Sequence, residues 1–187
     1  MDNTNQEIEV RFLEIDKDDM VKKLLLMGAK DMGEELLEET IFYDAEKRWL
    51  AENKVVRLRK TPTQQTLTYK HTVEQSASGT EEIEFPVPDL DKARAFVEAL
   101  GLVAFRVQEK KRRTFVWGGV KIEIDEHPMV PVYLEIEGPS ESLLKDTARA
   151  LNLDWQQAHM ESSRDFIEQI YKIPLTSLKI YKFAKIE

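Results

Sequence analysis

The sequence predicts an α+β fold in which antiparallel strands form a β-barrel flanked by helices. Two observations lead to this prediction. Apolar and charged residues alternate with period two between local turn signals, which is typical of strands with one apolar and one charged face. Other segments carry apolar residues at helical spacing and are followed by glycine, which is typical of amphipathic helices.

The apolar stripes predict three helices, over residues 18–27, 91–100 and 140–151. The first two are followed by Gly28 and Gly101, and the third begins at Ser140, a residue type that commonly caps a helix. A fourth helix over residues 162–171 would close the chain. Residues 156–187 are therefore expected to form a helical tail.

The strands carry most of the charged residues. Residues two apart share one face of a strand, so the alternation assigns each side chain to a face. Seven segments show it, near residues 7–12, 55–60, 66–72, 80–85, 103–117, 120–125 and 132–137. Their polar faces hold Glu7, Glu9, Arg11, Arg57, Arg59, Lys70, Glu82, Glu84, Arg106, Lys110, Arg112, Lys121, Glu123, Asp125, Glu135 and Glu137. The segment 103–117 is less regular, since Lys111 and Arg113 fall with its apolar residues.

The composition limits the functions that the chain can have. Its 187 residues, 42% of them hydrophobic, suffice for a proper core, and we expect residues 1–187 to form a single domain. The net charge of −8 argues against nucleic acid and anionic membranes as partners, since both are bound through basic surfaces. The chain has no cysteine, which excludes disulfides, thiolate catalysis and cysteine zinc sites.

Hydropathy predicts a cytoplasmic protein. No apolar run approaches the roughly 20 residues that a membrane-spanning helix needs. The polar segment 1–6 lacks the apolar core of a signal peptide.

Two architectures could carry these charged faces. An open sheet with one face in water explains any single strand, but solvated faces usually mix Thr, Ser, Lys and Gln. Here the polar faces combine basic residues with doublets of acids. A closed barrel would turn the charges inward, where removing an ion from water costs several kcal/mol unless it is paired. A polyphosphate with divalent cations would pair both signs, because Arg and Lys bind phosphate and carboxylates bind the metal.

The charged motifs also resemble those of a known family. Glu7-Ile8-Glu9-Val10-Arg11 is similar to the Glu-x-Glu-x-Lys motif of the CYTH superfamily, the triphosphate tunnel metalloenzymes. This group includes class IV adenylyl cyclases, thiamine triphosphatases and inorganic triphosphatases. Further motifs follow in family order over about residues 6–155, namely Arg57-Leu58-Arg59, Leu67-Thr68-Tyr69-Lys70, Glu81-Glu82-Ile83-Glu84, Lys110-Lys111-Arg112-Arg113-Thr114-Phe115, Gly118-Gly119-Val120 with Asp125, and Leu134-Glu135-Ile136-Glu137-Gly138.

The resemblance implies an eight-stranded antiparallel tunnel and a role for each charged group. A divalent metal, Mg²⁺ or Mn²⁺, would bind Glu7, Glu9, Asp125, Glu135 and Glu137. The triphosphate would bind Arg11, Arg57, Arg59, Lys70, Lys110 and Arg112. Glu84 and Glu82 would orient these bases or hold a second metal. Within this set, the catalytic residues would be Glu7, Glu9 and Arg11.

The resemblance also implies an enzyme that acts on ATP or tripolyphosphate. A class IV adenylyl cyclase-like enzyme would convert ATP to cyclic AMP and pyrophosphate. The alternative is a triphosphatase that hydrolyses tripolyphosphate or a nucleoside triphosphate. A non-catalytic binder of polyphosphate or nucleotide is a further alternative, and an interaction module with a solvated charged sheet is another.

Two departures from the family pattern bear on these alternatives. Arg11 replaces the motif lysine, so it keeps a phosphate contact but cannot be deprotonated. Phe42 stands where animal thiamine triphosphatases carry a tyrosine, which argues against thiamine triphosphate as the substrate. His71, His127 and His159 show no metal-ligand spacing, and we do not expect them to be catalytic.

Overall fold

The computed structural model describes residues 6–74 and 76–187. Residues 1–5, part of the polar segment that argues against a signal peptide, lie outside the described residues, as does Gln75. The described chain is an α+β fold of mostly antiparallel strands with helices packed against the sheet, which confirms the predicted fold class. No helix in this part of the chain is long and apolar enough to cross a membrane.

The secondary structure of the described residues alternates groups of strands with single helices. The strands are β1 Gln6–Glu7, β2 Glu9–Phe12, β3 Lys30–Asp44, β4 Lys54–Lys60, β5 Gln65–Thr72, β6 Thr80–Pro86, β7 Leu102–Trp117, β8 Val120–Glu126, β9 Tyr133–Glu137, β10 Ile180–Lys182 and β11 Lys185–Ile186. The helices are α1 Lys17–Leu26, α2 Arg48–Ala51, α3 Leu90–Ala99, α4 Glu141–Ala150 and α5 Ser163–Gln169, with a 3-10 turn at Trp155–Gln157.

The N-terminal segment bounds both ends of the sheet. The strand order is β1-β6-β5-β4-β3-β7-β8-β9-β2, and only Ile8 separates β1 from β2 in the chain. β1 pairs with β6 and β2 pairs with β9, both antiparallel. With β1 and β2 taken as two parts of one strand, the path holds the eight strands that the resemblance implies. The hydrogen-bonded ladder is interrupted between these two parts, because β1 pairs with β6 and β2 pairs with β9. The sheet is therefore rolled around an interior without forming a continuous ring.

The sequence did not predict β3, although it is the central strand of the sheet and pairs with β4 and β7. Its sequence shows no period of two because like residues occur in adjacent pairs, Glu34-Glu35, Leu36-Leu37 and Glu38-Glu39. A register irregularity between Ile41 and Phe42 interrupts the alternation again near the end of the strand.

The outer face of the sheet forms the hydrophobic core with the helices. The main cluster joins α1 and α4 to β2, β7, β8 and β9 through Val10, Phe12, Met20, Leu24, Phe115, Ile122, Ile124, Leu134, Ile136 and Leu144. A second cluster packs α3 against β3 and β4 through Phe42, Val56, Leu58, Val97 and Leu102. Because neighbouring residues of a strand point to opposite sides, this packing directs the charged faces to the interior of the rolled sheet.

The predicted helices are found where their end signals place them. The observed bounds of α1, α3 and α4 lie within one residue of the predicted ones. Asp16, Asp89 and Ser140 precede them, and each side chain accepts a hydrogen bond from the backbone N–H three residues ahead. Gly28 and Gly101 follow α1 and α3 with φ angles of 77° and 91°, a left-handed conformation that glycine adopts without strain.

The segment 156–187, for which the sequence predicts a helical tail, contains one short helix and two short strands. β10 pairs in parallel with β7, and β11 pairs with β10. Ile167 of α5 and Leu175 reach the interior of the rolled sheet. The tail therefore covers part of that interior.

Gly138 lies where α4 approaches β8, and alanine at this position is expected to lower the stability. A Cβ atom there would lie 2.8 Å from Val120 Cγ1 and 3.0 Å from Leu144 Cδ1. Both neighbours belong to the main core, and overpacking of this kind costs about 1–3 kcal/mol. Urea unfolding of Gly138→Ala would measure the loss, with Ser142→Ala at an exposed position of α4 as the control. Equal stability of the two variants would contradict the expectation.

Candidate functional site

The rolled sheet encloses a cavity of about 490 Å³. This volume is within the roughly 300–1,000 Å³ that is usual for small-molecule sites. The residues that the resemblance assigns to a site all line it except Asp125, namely Glu7, Glu9, Arg11, Arg57, Arg59, Lys70, Glu82, Glu84, Lys110, Arg112, Glu135 and Glu137. The structure thus brings these side chains together from seven strands.

Arg11 lies between two buried acids. It forms an ion pair with Glu9, and its Nε lies 2.8 Å from Glu135 Oε2. Its Nη1 donates to the carbonyl oxygen of Glu161 at 2.9 Å. Burial alone would raise the pKa of Glu135, but the guanidinium groups of Arg11 and Arg112 hold it well below its usual range. Glu135 is therefore an ionised acid inside the cavity.

Lys70 pairs with two acids, one in the N-terminal strand β1 and one in β6. Its Nζ donates to both carboxylate oxygens of Glu7, at 2.8 and 2.6 Å, and forms an ion pair with Glu82. Burial raises the pKa of Glu7, and Lys70 opposes this rise. Although burial alone would lower the pKa of Lys70, the charges of Glu9, Glu7 and Glu82 raise it. The lysine is therefore cationic at neutral pH.

Glu39 of β3 is a cavity residue that the sequence analysis missed. Its Oε1 accepts from Arg59 Nε at 2.8 Å and lies 3.7 Å from Arg57 Nη1. Burial would raise the pKa of Glu39, but Arg59 and Arg57 hold it well below its usual range. Arg57 also reaches Glu84, at 3.4 Å. The signal that could have identified Glu39 is the alternation of apolar and charged residues, and the irregular sequence of β3 does not show it.

Asp125 lies behind the cavity wall, although the resemblance implies a metal ligand at this position. Its side chain is completely buried, and its oxygens accept from Arg112 at 2.7 and 2.6 Å, from Lys110 at 2.7 Å and from Tyr133 at 3.1 Å. Burial opposes its ionisation, but Arg112 and Lys110 hold the pKa of Asp125 far below its usual range. In this arrangement, Asp125 fixes the positions of two cations that line the cavity.

Lys121 of β8 is another lining residue that was not assigned to the site. Its Nζ lies 2.5 Å from Glu137 Oε2 and 3.5 Å from Glu123 Oε1. Parity places Lys121 on the charged face, but no motif marks it. Of Phe42 and Tyr43, Tyr43 lines the cavity and Phe42 is buried in the core around α3.

The carboxylates of the N-terminal segment offer donors for a cation. Glu9 Oε2 is buried and has no hydrogen-bond partner among the described residues. Burial raises the pKa of Glu9 more than Arg11 lowers it, and the nearby charge of Glu135 adds to the rise. As arranged, residues 6–74 and 76–187 contain no group of three His, Asp or Glu side chains that could hold a metal. The acids of the cavity are instead paired with Arg11 and Lys70. Hard oxygen donors with a free lone pair nevertheless fit Mg²⁺ or Mn²⁺.

His127, which the sequence analysis did not assign to the site, also lines the cavity. Its ring lies between the rings of Tyr133 and Tyr181, with centroids 6.0 Å away on each side. Neither ring nitrogen has a hydrogen-bond partner among the described residues. Burial, reinforced by the charge of Lys110, lowers the pKa of His127 to about 4. The imidazole is therefore neutral at pH 7.

The buried His127 is expected to make the protein less stable in acid. Its pKa is about 4 in the folded chain against 6.5 ordinarily, so the unfolded chain takes up the proton first as the pH falls. The stability due to this difference is complete above pH 6.5 and is lost as the pH falls to 4. A shift of this size corresponds to about 3 kcal/mol.

Urea unfolding of the wild type and of His127→Phe at pH 7 and pH 4.5 would measure this loss. Phenylalanine cannot be protonated, so the variant should lose less stability over the interval. If the two proteins lose the same stability, His127 is not the group responsible.

The fold and the cavity together define a class of protein, an α+β domain whose rolled antiparallel sheet surrounds paired acids and bases. The profile of the CYTH domain matches residues 5–171. The chain belongs to the CYTH domain family, as its motifs indicate. No curated protein matches the chain significantly.

Solved structures share the fold. The PH1012 protein of Pyrococcus horikoshii is 26% identical, covering 83% of this chain and 96% of its own, with a TM-score of 0.71. A proposed adenylate cyclase of Vibrio parahaemolyticus is 16% identical, covering 88% of this chain and 98% of its own, with a TM-score of 0.74. A proposed adenylyl cyclase of Hippeastrum, described as having a dominant triphosphatase activity, is 15% identical, covering 90% of this chain and 98% of its own, with a TM-score of 0.63. At these identities, the last two show the fold alone.

Proposed function

We propose that the chain is a divalent-metal-dependent enzyme that cleaves a triphosphate held in the cavity. The observation that supports this most is the lining, in which buried cations and buried acids face one enclosed volume. Burying so many ions is costly even when they are paired with one another. A ligand that carries several negative charges together with a metal would give each sign a partner.

The cations of the cavity are suited to hold the phosphates. Arginine offers a planar fork of donors and lysine a compact charge, and both bind phosphate oxygens strongly. In the proposed complex these side chains exchange carboxylate partners for phosphate oxygens. The residues are those that the resemblance implies, Arg11, Arg57, Arg59, Lys70, Lys110 and Arg112.

The acids would hold the metal, Mg²⁺ or Mn²⁺. Glu9 has a free buried oxygen, and Glu7, Glu135 and Glu137 line the same cavity. A divalent cation bound to them would supply Lewis-acid charge stabilisation to the phosphate oxygens. Asp125 would act differently, by keeping Lys110 and Arg112 in position.

The first candidate reaction is that of a class IV adenylyl cyclase. The ribose 3′-oxygen of ATP would attack the α-phosphorus, the bond from that phosphorus to the bridging oxygen would break, and pyrophosphate would leave. Arg11 cannot accept the proton of the 3′-hydroxyl, because a guanidinium stays charged. The proton must therefore pass to a carboxylate of the cavity or to water. The cations would stabilise the charge that develops on the leaving pyrophosphate.

The second candidate is a triphosphatase, and the predominance of charged side chains in the lining favours it. Water would attack the terminal phosphorus of tripolyphosphate, the bond to the bridging oxygen would break, and orthophosphate and pyrophosphate would form. This reaction needs only the triphosphate and a water molecule, with no surface for a base.

Turnover of ATP and of tripolyphosphate with Mg²⁺ and with Mn²⁺, followed by chromatography of the products, tests the proposal. Cyclic AMP with pyrophosphate would identify a cyclase, and orthophosphate a triphosphatase. Absence of turnover combined with thermal stabilisation by tripolyphosphate would indicate a non-catalytic binder. If the protein shows no turnover and is not stabilised by tripolyphosphate, the proposal is overturned.

A further inference from the structure

Arg106 differs from the cations that the resemblance assigns to the cavity. Each of those six cations lies within 4.0 Å of at least one carboxylate. Arg106 is only 4% exposed and lines the cavity, yet it forms no ion pair with a described carboxylate. Its Nε donates to Gln108 Oε1 at 2.8 Å, and its Nη1 donates to the carbonyl oxygen of Leu175. Gln108 in turn donates to Glu39 Oε2 at 2.6 Å. Burial lowers the pKa of Arg106 despite the charges of Glu39 and Glu168, which lie beyond ion-pair distance. An anion from outside the chain in direct contact with the guanidinium would stabilise it.

An irregularity of β7 directs Arg106 into the cavity. Ile41 pairs with Arg106 while Phe42 pairs with Ala104, so Phe105 is an extra residue in this strand. Ala104 packs in the outer cluster around Phe42, and residues two apart in a regular strand share a face. Without the extra residue Arg106 would point outward as well. Bulges of this kind re-aim side chains next to binding sites.

His127 lines the same cavity and is linked to the surroundings of Arg106 through Tyr181. It is 5% exposed, and both of its ring nitrogens are buried without a partner among the described residues. Tyr181 stacks on its ring and pairs in register with Gln108, the acceptor for Arg106. A neutral imidazole donates through one nitrogen and accepts through the other. Leaving both unused in a buried site carries a free-energy cost that a ligand would relieve.

The tail covers this part of the cavity. Leu175 and Ile167 line it, and the carbonyl oxygen of Leu175 is held by Arg106. A chain of phosphates that reaches Arg106 must therefore end there.

We propose that Arg106 and His127 form the subsite for the terminal phosphate of the bound triphosphate. This inference rests on the proposed function and deepens it, because it names the residues that distinguish a triphosphate from a diphosphate. Arg106 donates to the oxygens of the terminal phosphate, and a ring N–H of His127 donates to another. Since no described carboxylate forms an ion pair with Arg106, this phosphate would be held by the chain alone, and a divalent cation would bind at the acids of the N-terminal segment.

Titration calorimetry with tripolyphosphate, pyrophosphate and ATP, each with Mg²⁺, tests the subsite. His127→Phe keeps a ring between the two tyrosines and removes no hydrogen bond among the described residues, so it should fold normally at pH 7. We expect this variant to bind tripolyphosphate and ATP about ten-fold more weakly than the wild type, the scale of one hydrogen bond to a charged group. The affinity for pyrophosphate should change by less than about two-fold, since pyrophosphate can bind with the metal near the acids of the N-terminal segment without reaching His127.

Arg106→Gln should likewise lower the affinity for tripolyphosphate and ATP but not for pyrophosphate. Arg106→Lys should lose less affinity than Arg106→Gln because it keeps the positive charge. Arg48→Gln, at an exposed position of α2, is the control for a general effect of charge. Equal losses for tripolyphosphate and pyrophosphate, a loss for ATP alone, or no loss at all would each overturn the subsite while leaving the proposed function standing. Failure of the wild type to bind any of the three ligands would instead overturn the proposed function and this inference with it.

Discussion

Replacing Glu135 and Glu137 together by glutamine is expected to lower metal-dependent turnover of the triphosphate about 100-fold or more. Losses of this size follow the removal of one preorganised stabilising group from an active site. Glu135 holds Arg11, with Nε at 2.8 Å, and Arg112, with Nη2 at 3.2 Å. Glu137 holds Lys121 at 2.5 Å. The double change therefore removes two proposed metal donors and frees the cations that they hold.

The measurement is the rate of triphosphate cleavage as a function of Mn²⁺ and Mg²⁺ concentration. Calorimetric measurement of tripolyphosphate binding without metal shows whether the variant is folded and its cations are in place. We expect that binding to persist or to strengthen, because the competing acids are gone. Glu141→Gln at an exposed position of α4 is the control. Full turnover by the double variant at saturating metal would show that these acids do not hold the metal.

Asp125→Asn is expected to destabilise the folded chain by about 3–5 kcal/mol, the usual cost of removing one partner of a buried ion pair. Lys110 and Arg112 both donate to Asp125, which is 0% exposed, and the amide cannot neutralise them. Urea unfolding of the wild type and the variant at pH 7 would measure the difference. Tripolyphosphate should raise the stability of the variant more than that of the wild type, because the two cations then gain an anionic partner.

Asp31→Asn is the matched control for this change. Asp31 pairs with Arg113 at 2.5 Å on the outer surface, where their side chains are 26% and 29% exposed. A pair so accessible to water contributes little, and its loss should cost less than about 1 kcal/mol. Similar losses for the two variants would contradict the view that Asp125 organises the buried cations.

The alternation along the predicted strands was enough to identify most of the charged side chains that line the cavity. Glu7, Glu9 and Arg11 share one parity in the sequence, and all three line the cavity. The same rule predicted the antiparallel strands because one face of almost every strand is apolar, while the helices were predicted from apolar residues at helical spacing. Parity cannot tell how far a side chain reaches into the interior. For this reason it placed Asp125 on the charged face but could not show that its side chain is fully buried and bonded to the cations of β7.

The features that the sequence did not disclose arise from irregular backbone and from packing between distant segments. The doublets of β3 hid Glu39, because they show no period of two. The bulge at Phe105 changes the parity of β7, and no sequence pattern marks its position. His127 gains its place from stacking between Tyr133 and Tyr181, which lie far apart in the chain. Such contacts are created by the tertiary fold, so no local pattern could predict them.

The split N-terminal strand has a consequence for the order of folding. β2 pairs with β9, and β1 pairs with β6, so this segment must wait until much later parts of the chain have been synthesised. Pairing between such distant segments is slow, and an unpaired strand is exposed to aggregation during that time. Glu7, Glu9 and Arg11 place charges along the waiting strand, and charge is a common protection for an unpaired edge. The residues proposed to bind metal and phosphate in the folded protein would thus also protect the nascent chain from aggregation.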